Sequence, residues 1–379
     1  MKNQEQPFIS SATQHINRQN VAVQDHRRYR WIPLAVAIFL AQALFASVCS
    51  AQSDVIVKRD ESRLSGKLIK MTADSVVLDV RRTETTVPCE EIDYMRFFDE
   101  VSRTQNARDY MDDRRFEEAA RELSNMREKW SEIRPIAALD GLYLLATAKA
   151  ELALSGVEGH SLTDAVNLVR DYREKGKEHY NFYPSGLLFA RLAKAANRLD
   201  LAKEELEALT GTNDARVLLD ANLDLGFLLL QEKDYVGARS AFSRAEAVDA
   251  SDPESLRKKT VARIYLSVAS AGEGQGSSAV SDINNLIKTQ SPDDYYVNAY
   301  AYNALGKVHM MQNQLKEAEV AYLHTDLLFA ANADAHAEAL YNLVQIWNQL
   351  GKSDRVTEGR EKLINRYGGS FWTSRLNSQ

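Results

Sequence analysis

The chain has 379 residues, of which 45% are hydrophobic and 26% charged, and its formal net charge is −6. This is an ordinary globular composition with room for two domains. Two cysteines exclude a disulfide framework, and an acidic balance without a basic stripe excludes nucleic acid as a partner.

Residues 1–30 are polar and end in Arg27, Arg28 and Arg30. An apolar run from Trp31 to Val48 follows, interrupted by Pro33, Gln42 and Ser47, and then Cys49-Ser50-Ala51. A basic flank, an apolar centre and a small-residue exit read as a secretory signal peptide over 1–51, cleaved after Ala51. The alternative is an uncleaved transmembrane anchor in the inner membrane: residues 31–48 are just long enough to span a bilayer, and the arginines hold the N-terminus inside. Either way the remainder is exported, to the periplasm or the cell surface. Without residues 1–51 it keeps 42 basic and 51 acidic residues, a net −9, and a single cysteine, Cys89.

Between 54 and 99 the period changes. Short β-branched or aromatic runs (Asp54–Lys58, Leu64–Ile69, Ser75–Val80, Thr85–Val87 and Tyr94–Phe98) alternate with polar turns such as Arg59-Asp60-Glu61-Ser62 and Thr72-Ala73-Asp74. Five strands in so short a span predict a small barrel, because closure removes exposed edges. The stretch looks like an SH3-like or Sm-like barrel. Its basic residues Lys58, Arg59, Lys67, Arg81 and Arg82 are interleaved with Asp60, Glu61, Asp74 and Asp79, so it reads as a capping and docking module for the first helix.

From 103 onward the period is helical. A bulky residue, Ala three on and an apolar residue four further recur as Phe116-Ala119-Leu123, Leu162-Ala165-Val169, Leu199-Ala202-Leu206, Tyr235-Ala238-Phe242 and Leu315-Ala318-Tyr322. Gly276-Ala279-Ile283 keeps the last two positions. These offsets place the three residues on one helical face, and the small Ala lets a neighbouring helix approach closely. The alanines recur at 36 to 46 residues, the mark of a helical repeat array. The predicted pairs are 103–112 with 115–129, 136–155 with 161–176, 184–197 with 199–209, and 214–231 with 235–249. Three more follow: 254–271 with 277–289, 293–312 with 315–330, and 334–350 with 353–366. Ser251-Asp252-Pro253-Glu254 and Ser291-Pro292-Asp293-Asp294 supply caps with proline at the first helical position. Gly272 to Ser278 predicts a flexible hairpin loop.

This pattern resembles the tetratricopeptide repeat (TPR), whose first helix carries Leu-Gly and whose second carries Ala, an aromatic and Ala. Leu225, Gly226, Ala238, Phe242 and Ala245 match it, as do Leu305, Gly306, Ala318 and Tyr322, with Thr325 in place of the last Ala. The resemblance implies a mainly α fold, a right-handed superhelical array of about seven TPR-like hairpins over 103–367. A tail, 368–379, follows, and Phe371-Trp372 join the terminal cap. It also implies a partner-binding groove lined by Asp220, Asp224, Phe227, Tyr300, Asn303, Lys307, Met310, Tyr341, Asn342, Gln345 and Asn348. Some members of the family hold a partner's C-terminal carboxylate with Lys and Asn, and Asn303, Lys307 and Asn342 match part of that set. Tyr295, Tyr296, Tyr300 and Tyr302 add a candidate peptide-binding surface, since Tyr offers large area with few rotors.

No catalytic constellation, metal site or cofactor cradle is expected. The seven histidines make no HExxH pair, although His309 and His324 fall on the two helices of one hairpin. Gly272-Glu273-Gly274-Gln275-Gly276 lacks the strand and lysine of a phosphate loop. Glu117-Glu118, Glu204-Glu205 and Asp112-Asp113 read as solvated faces. The expected function is a non-enzymatic protein–protein interaction scaffold of the cell envelope that binds a peptide or protein. The alternatives are a self-assembling structural component and a metal-dependent enzyme. Partner identity and oligomeric state stay open.

Overall fold

The computed structural model of the chain describes residues 53–378. The expected signal or anchor, with its apolar run at 31–48, lies outside the described residues. Among the described residues no helix is long and apolar enough to cross a membrane.

Strands β1 (Asp54–Lys58), β2 (Arg63–Met71), β3 (Ser75–Val80), β4 (Thr83–Pro88) and β5 (Ile92–Arg96) form an antiparallel sheet in the order β4-β3-β2-β1-β5. β4 and β5 stand at its two edges. Alternation sets the register: Ile56 pairs with Leu64 and Met95, and Leu78 with Leu68 and Thr85. Ile56, Val76, Leu78, Val87, Ile92 and Met95 fill its apolar face, and that core continues into Ala137 and Tyr180.

Helices then come in antiparallel pairs. They are α1 (Thr104–Asp112) with α2 (Phe116–Met126), α3 (Pro135–Ser155) with α4 (Leu162–Lys175), and α5 (Phe182–Ala195) with α6 (Leu199–Leu209). Next are α7 (Ala215–Gln231) with α8 (Tyr235–Ala247), α9 (Pro253–Ser270) with α10 (Gly276–Thr289), α11 (Tyr295–Met311) with α12 (Leu315–Leu328), and α13 (Ala333–Gln349) with α14 (Ser353–Tyr367). The periodic alanines sit where the helices cross. Ala119, Ala165, Ala202, Ala238, Ala279 and Ala318 are each at most 1% exposed, which fixes the register of the repeat. Gly226 and Gly306 have a matching reason: a Cβ on Gly226 would lie 2.5 Å from the Phe242 ring, and one on Gly306 2.6 Å from the Tyr322 ring. The aromatic of each second helix thus rests on bare backbone of the first.

Three local expectations change. Residues 272–278 do not form a free loop. Ala271–Gln275 makes a π-type turn in which Gly274 takes φ 100°, and α10 starts directly from it. Helix α11 begins two residues beyond Asp293 because the Asp294 carboxylate, accepting from Val297 N at 3.1 Å, is its cap; Pro292 lies outside the helix. The stretch 368–379 is more than a tail. Ser370 Oγ accepts from Thr373 N and caps a further helix, α15 (Phe371–Asn377), with Phe371, Trp372, Thr373 and Leu376 buried.

The sheet docks on far more than the first helix. The Arg108 guanidinium on α1 donates to Glu100 at 2.8 Å and to Asp140 on α3 at 2.8 Å. Tyr180 OH donates to the other Asp140 oxygen at 2.7 Å and accepts from Met95 N of β5 at 3.3 Å. Arg134 pairs with Asp54 and Asp99. Glu90 accepts from Ala215 N, the first residue of α7, at 2.9 Å. Burial of these polar groups is tolerable because their charges are paired, although Arg108 Nε has no hydrogen-bond partner among the described residues.

Candidate functional site

The eleven residues expected to line one groove fall into three environments. Phe227 and Tyr300 are stacked, with centroids 5.6 Å apart, inside an aromatic cluster with Tyr265, Phe242 and Tyr296. Helical spacing alone cannot separate such packing from a ligand surface, since both place large rings on the inner face.

The second environment is polar and largely paired within the chain, although Asn303 Oδ1 is buried without a hydrogen-bond partner among the described residues. Asn303, fully buried, donates from Nδ2 to Ala335 O at 2.7 Å and to Glu338 Oε2 at 3.2 Å. Lys307 Nζ lies 2.9 Å from Glu338 Oε1. The carboxylate held by the Lys–Asn pair is therefore the chain's own, supplied by the next pair of helices. Asn342 donates back to Glu338 O at 2.9 Å, and Met310 packs against Tyr322, Leu343 and Trp347. Asp220 is likewise engaged, by Lys258 at 2.7 Å. Tyr341 is buried against Trp372, Gln345 is half-buried and Asn348 is exposed.

Asp224 belongs to the third environment, a cavity of about 980 Å³. Its walls come from distant parts of the chain: Glu151 on α3, Arg191 and Lys194 on α5, Asp224 on α7, Tyr295 and Tyr296 on α11, Asp334 on α13, Arg366 and Tyr367 on α14, and Phe371 and Trp372 on α15. They meet because the helical array returns on itself. A Cβ on Gly156, just after α3, would lie 2.7 Å from the Gly368 Cα, and one on Gly369 would overlap the Ala153 carbonyl. Glycine at these positions lets the end of the seventh pair touch backbone of the second pair. Helix α15 strengthens the closure: its core includes Leu199 of α6, and Lys194 Nζ lies 5.4 Å over the Phe371 ring.

The cavity carries both signs of charge on an aromatic frame. Arg191 is anchored by Glu151 at 2.7 Å. Lys194 and Asp224 have no ion-pair partner among the described residues. Burial pushes the Asp224 carboxyl up to about 6, against the opposing pull of Lys194. Burial likewise raises the Tyr296 hydroxyl well above its usual range.

Elsewhere several histidines are engaged, whereas His179 Nε2, Tyr265 OH and Tyr322 OH are buried without a hydrogen-bond partner among the described residues. His309 pairs with Gln314 at 2.6 Å, whereas His324 contacts Val320 O at 2.8 Å and stacks on Tyr302, so the two turn to different partners. His336, fully buried, bridges Asp326 at 2.6 Å and Tyr367 OH at 2.7 Å. Burial pushes His179 down to about 4. Among the described residues no cluster of three or more His, Cys, Asp or Glu is placed to hold a metal ion.

Sequence reasoning missed Glu151, Arg191, Lys194, Arg366 and the inward role of Phe371. Nothing local marks them. Their meeting depends on a contact between Gly156 and Gly368, and the only hint was the Gly368-Gly369 pair placed before two aromatics.

These observations define the class: an array of antiparallel helical pairs fused to an N-terminal five-stranded antiparallel sheet. No family model and no curated protein matches the chain. Among solved structures, a tetratricopeptide repeat protein from Parabacteroides merdae ATCC 43184 is 15% identical, over 69% of this chain and 91% of that one, with a TM-score of 0.49. A Rap protein complexed with competence and sporulation factor is 13% identical, over 72% and 77%, with a TM-score of 0.48. PilW, a type IV pilus biogenesis factor, is 19% identical, over 62% and 98%, with a TM-score of 0.36.

Proposed function

We propose that the chain is a non-enzymatic interaction scaffold that takes a peptide or protein segment into the cavity between its first, second, third, fourth, sixth and seventh helical pairs. The observation that carries the proposal is the cavity itself. Its volume of about 980 Å³ sits at the upper end of the roughly 300–1,000 Å³ usual for ligand sites. Tyr295 and Tyr296 offer rings, and Lys194 and Asp224 offer charges of opposite sign with no ion-pair partner among the described residues, a combination suited to a polypeptide that bears both signs and apolar side chains. In this reading the array is a right-handed superhelix with the cavity on its inner side, and the sheet is an SH3-like barrel that fixes its N-terminal end. Residues 1–51 direct the whole to the envelope.

A peptide-display selection on the purified chain tests this. Selected peptides should lose at least tenfold in affinity for Asp224→Ala with Tyr296→Ala; undiminished binding to a folded double variant refutes the cavity as the site.

A second reading has its own support. Val320, Leu327 and Leu328 are 56%, 71% and 58% exposed on the outer side of α12, and a self-assembling component would bury them between copies. A monomer at high concentration by light scattering removes that reading.

A further inference from the structure

Helix α15 sits where the seventh pair meets the third and fourth. Phe371, Trp372 and Leu376 pack on Leu340, Tyr341 and Val344 of α13 and reach Leu199 of the third pair. Arg375 donates from Nε to Tyr341 OH at 3.2 Å and from Nη1 to Gln231 Oε1 at 3.3 Å. Ser370, Phe371 and Trp372 also form part of the cavity wall. This short helix therefore joins the third, fourth and seventh pairs while closing the cavity on one side.

Its attachments differ in kind from those of the pair before it. The α13–α14 pair is tied to α12 by charge: Lys352 to Glu319 at 2.7 Å, Lys362 to Asp326 at 2.5 Å, and Trp347 Nε1 to Glu319 at 2.7 Å. Within the pair, Gly359 lies under the Trp347 ring, and Leu363, fully buried, shares its core with Phe371, Trp372 and Leu376 of α15. Helix α15 has no ion pair among the described residues. Its arginine meets two neutral oxygens at long hydrogen-bond distance, and it hangs from Gly368-Gly369. At seven residues it is far shorter than the roughly 12–15 needed for a helix to persist alone, so its order depends on its seat.

We infer that the seat formed by Lys194, Leu199, Gln231, Leu340 and Tyr341 is a docking site for a short helix with two adjacent aromatics and an arginine three residues after the second, held in cis by the chain's own C-terminus, and that exchange of this helix opens the cavity. The occupant seated there defines the chemistry: Phe371 under the Lys194 ammonium, Trp372 against Tyr341, and Arg375 over both Tyr341 and Phe371. A partner segment with the same pattern competes for the same contacts. This deepens the cavity reading above and rests on it only for the final step, the opening.

Two measurements on the full chain test the inference without any partner. Hydrogen exchange should find the amides of Thr373–Asn377 opening at least 100-fold faster than those of Leu340–Ile346. Equal protection would mean that α15 leaves only when the last pair unfolds, and would overturn the inference. A fluorescein-labelled peptide of residues 369–379 should bind Phe371→Ala with Trp372→Ala at least tenfold more tightly than it binds the parent, whose seat is filled. No binding to a variant folded by circular dichroism would also overturn it; if the variant fails to fold, the exchange ratio in the parent decides. A cavity that binds no displayed peptide leaves both results unaffected, so the two proposals fail separately.

Discussion

Replacing Glu338 by Ala tests the claim that the Lys–Asn pair is committed inside the fold. The Glu338 side chain is 8% exposed and that of Lys307 16%, so the ion pair is shielded from water. Asn303 Nδ2 adds a second donor to the same carboxylate. Removing it strands an ammonium that is almost fully buried and costs Asn303 one hydrogen bond. A broken buried pair costs about 3–5 kcal/mol, and a net hydrogen bond about 1 kcal/mol. Because Asn303 keeps its bond to Ala335 O, the expected loss is about 3–5 kcal/mol for Glu338→Ala. The double variant Glu338→Leu with Lys307→Met, which leaves no charge stranded, should recover most of it. Urea denaturation of the parent, Glu338→Leu, Lys307→Met and the double variant closes the cycle. A single-variant loss below about 1 kcal/mol, or a double variant as unstable as the sum of the singles, would show that the carboxylate is solvated and that Lys307 and Asn303 are free to hold a partner's carboxylate instead.

Three further outcomes follow from the same geometry. Ala238→Phe forces a ring into a crossing with no free space and should destabilise by about 1–3 kcal/mol or more, read as a lower denaturation midpoint; an unchanged midpoint would mean the repeat register is wrong. Asp224 has its folded pKa raised, to about 6, so its ionisation opposes folding; the stability it leaves intact below the unfolded value near 3.8 is lost as pH rises through 6. Asp224→Asn should therefore gain on the parent by about 1–3 kcal/mol between pH 4 and pH 7, and a difference that does not change with pH contradicts this. Cys89 is buried and its thiol is pushed up to about 12, chiefly by burial, so it should resist a thiol reagent at pH 8 until the chain is unfolded. Rapid labelling of the native protein would place it at the surface.

What could be read from the residues alone, and what could not, divides by range. The Ala238–Phe242 and Ala318–Tyr322 spacings encode contacts within a pair or between neighbours, and such contacts repeat, so one period reveals them all. Gly226 and Gly306 were visible for the same reason, each facing an aromatic sixteen residues on. The groove residues were harder. Tyr300 and Phe227 have the same spacing whether they face a ligand or one another, and only coordinates show that they stack. Glu338 was invisible as the partner of Lys307, because one carboxylate on an acidic chain carries no mark of its use. The closure through Gly156 and Gly369 joins positions more than two hundred residues apart, beyond any periodic signal.

That closure has a consequence for how the chain comes apart. An open stack of repeats frays from its ends, where each terminal unit has a single neighbour. Here the sheet shares a core with Ala137 of α3 and with Tyr180, and the trailing end abuts the Ala153 carbonyl. Through the contacts of Gly368 and Gly369 the seventh pair is not a free end even when α15 is detached, and this sequence-distant join must form late, after a large loop entropy has been overcome. The array should therefore melt as one sharply cooperative body and refold slowly, behaviour more typical of a globular enzyme than of a solenoid.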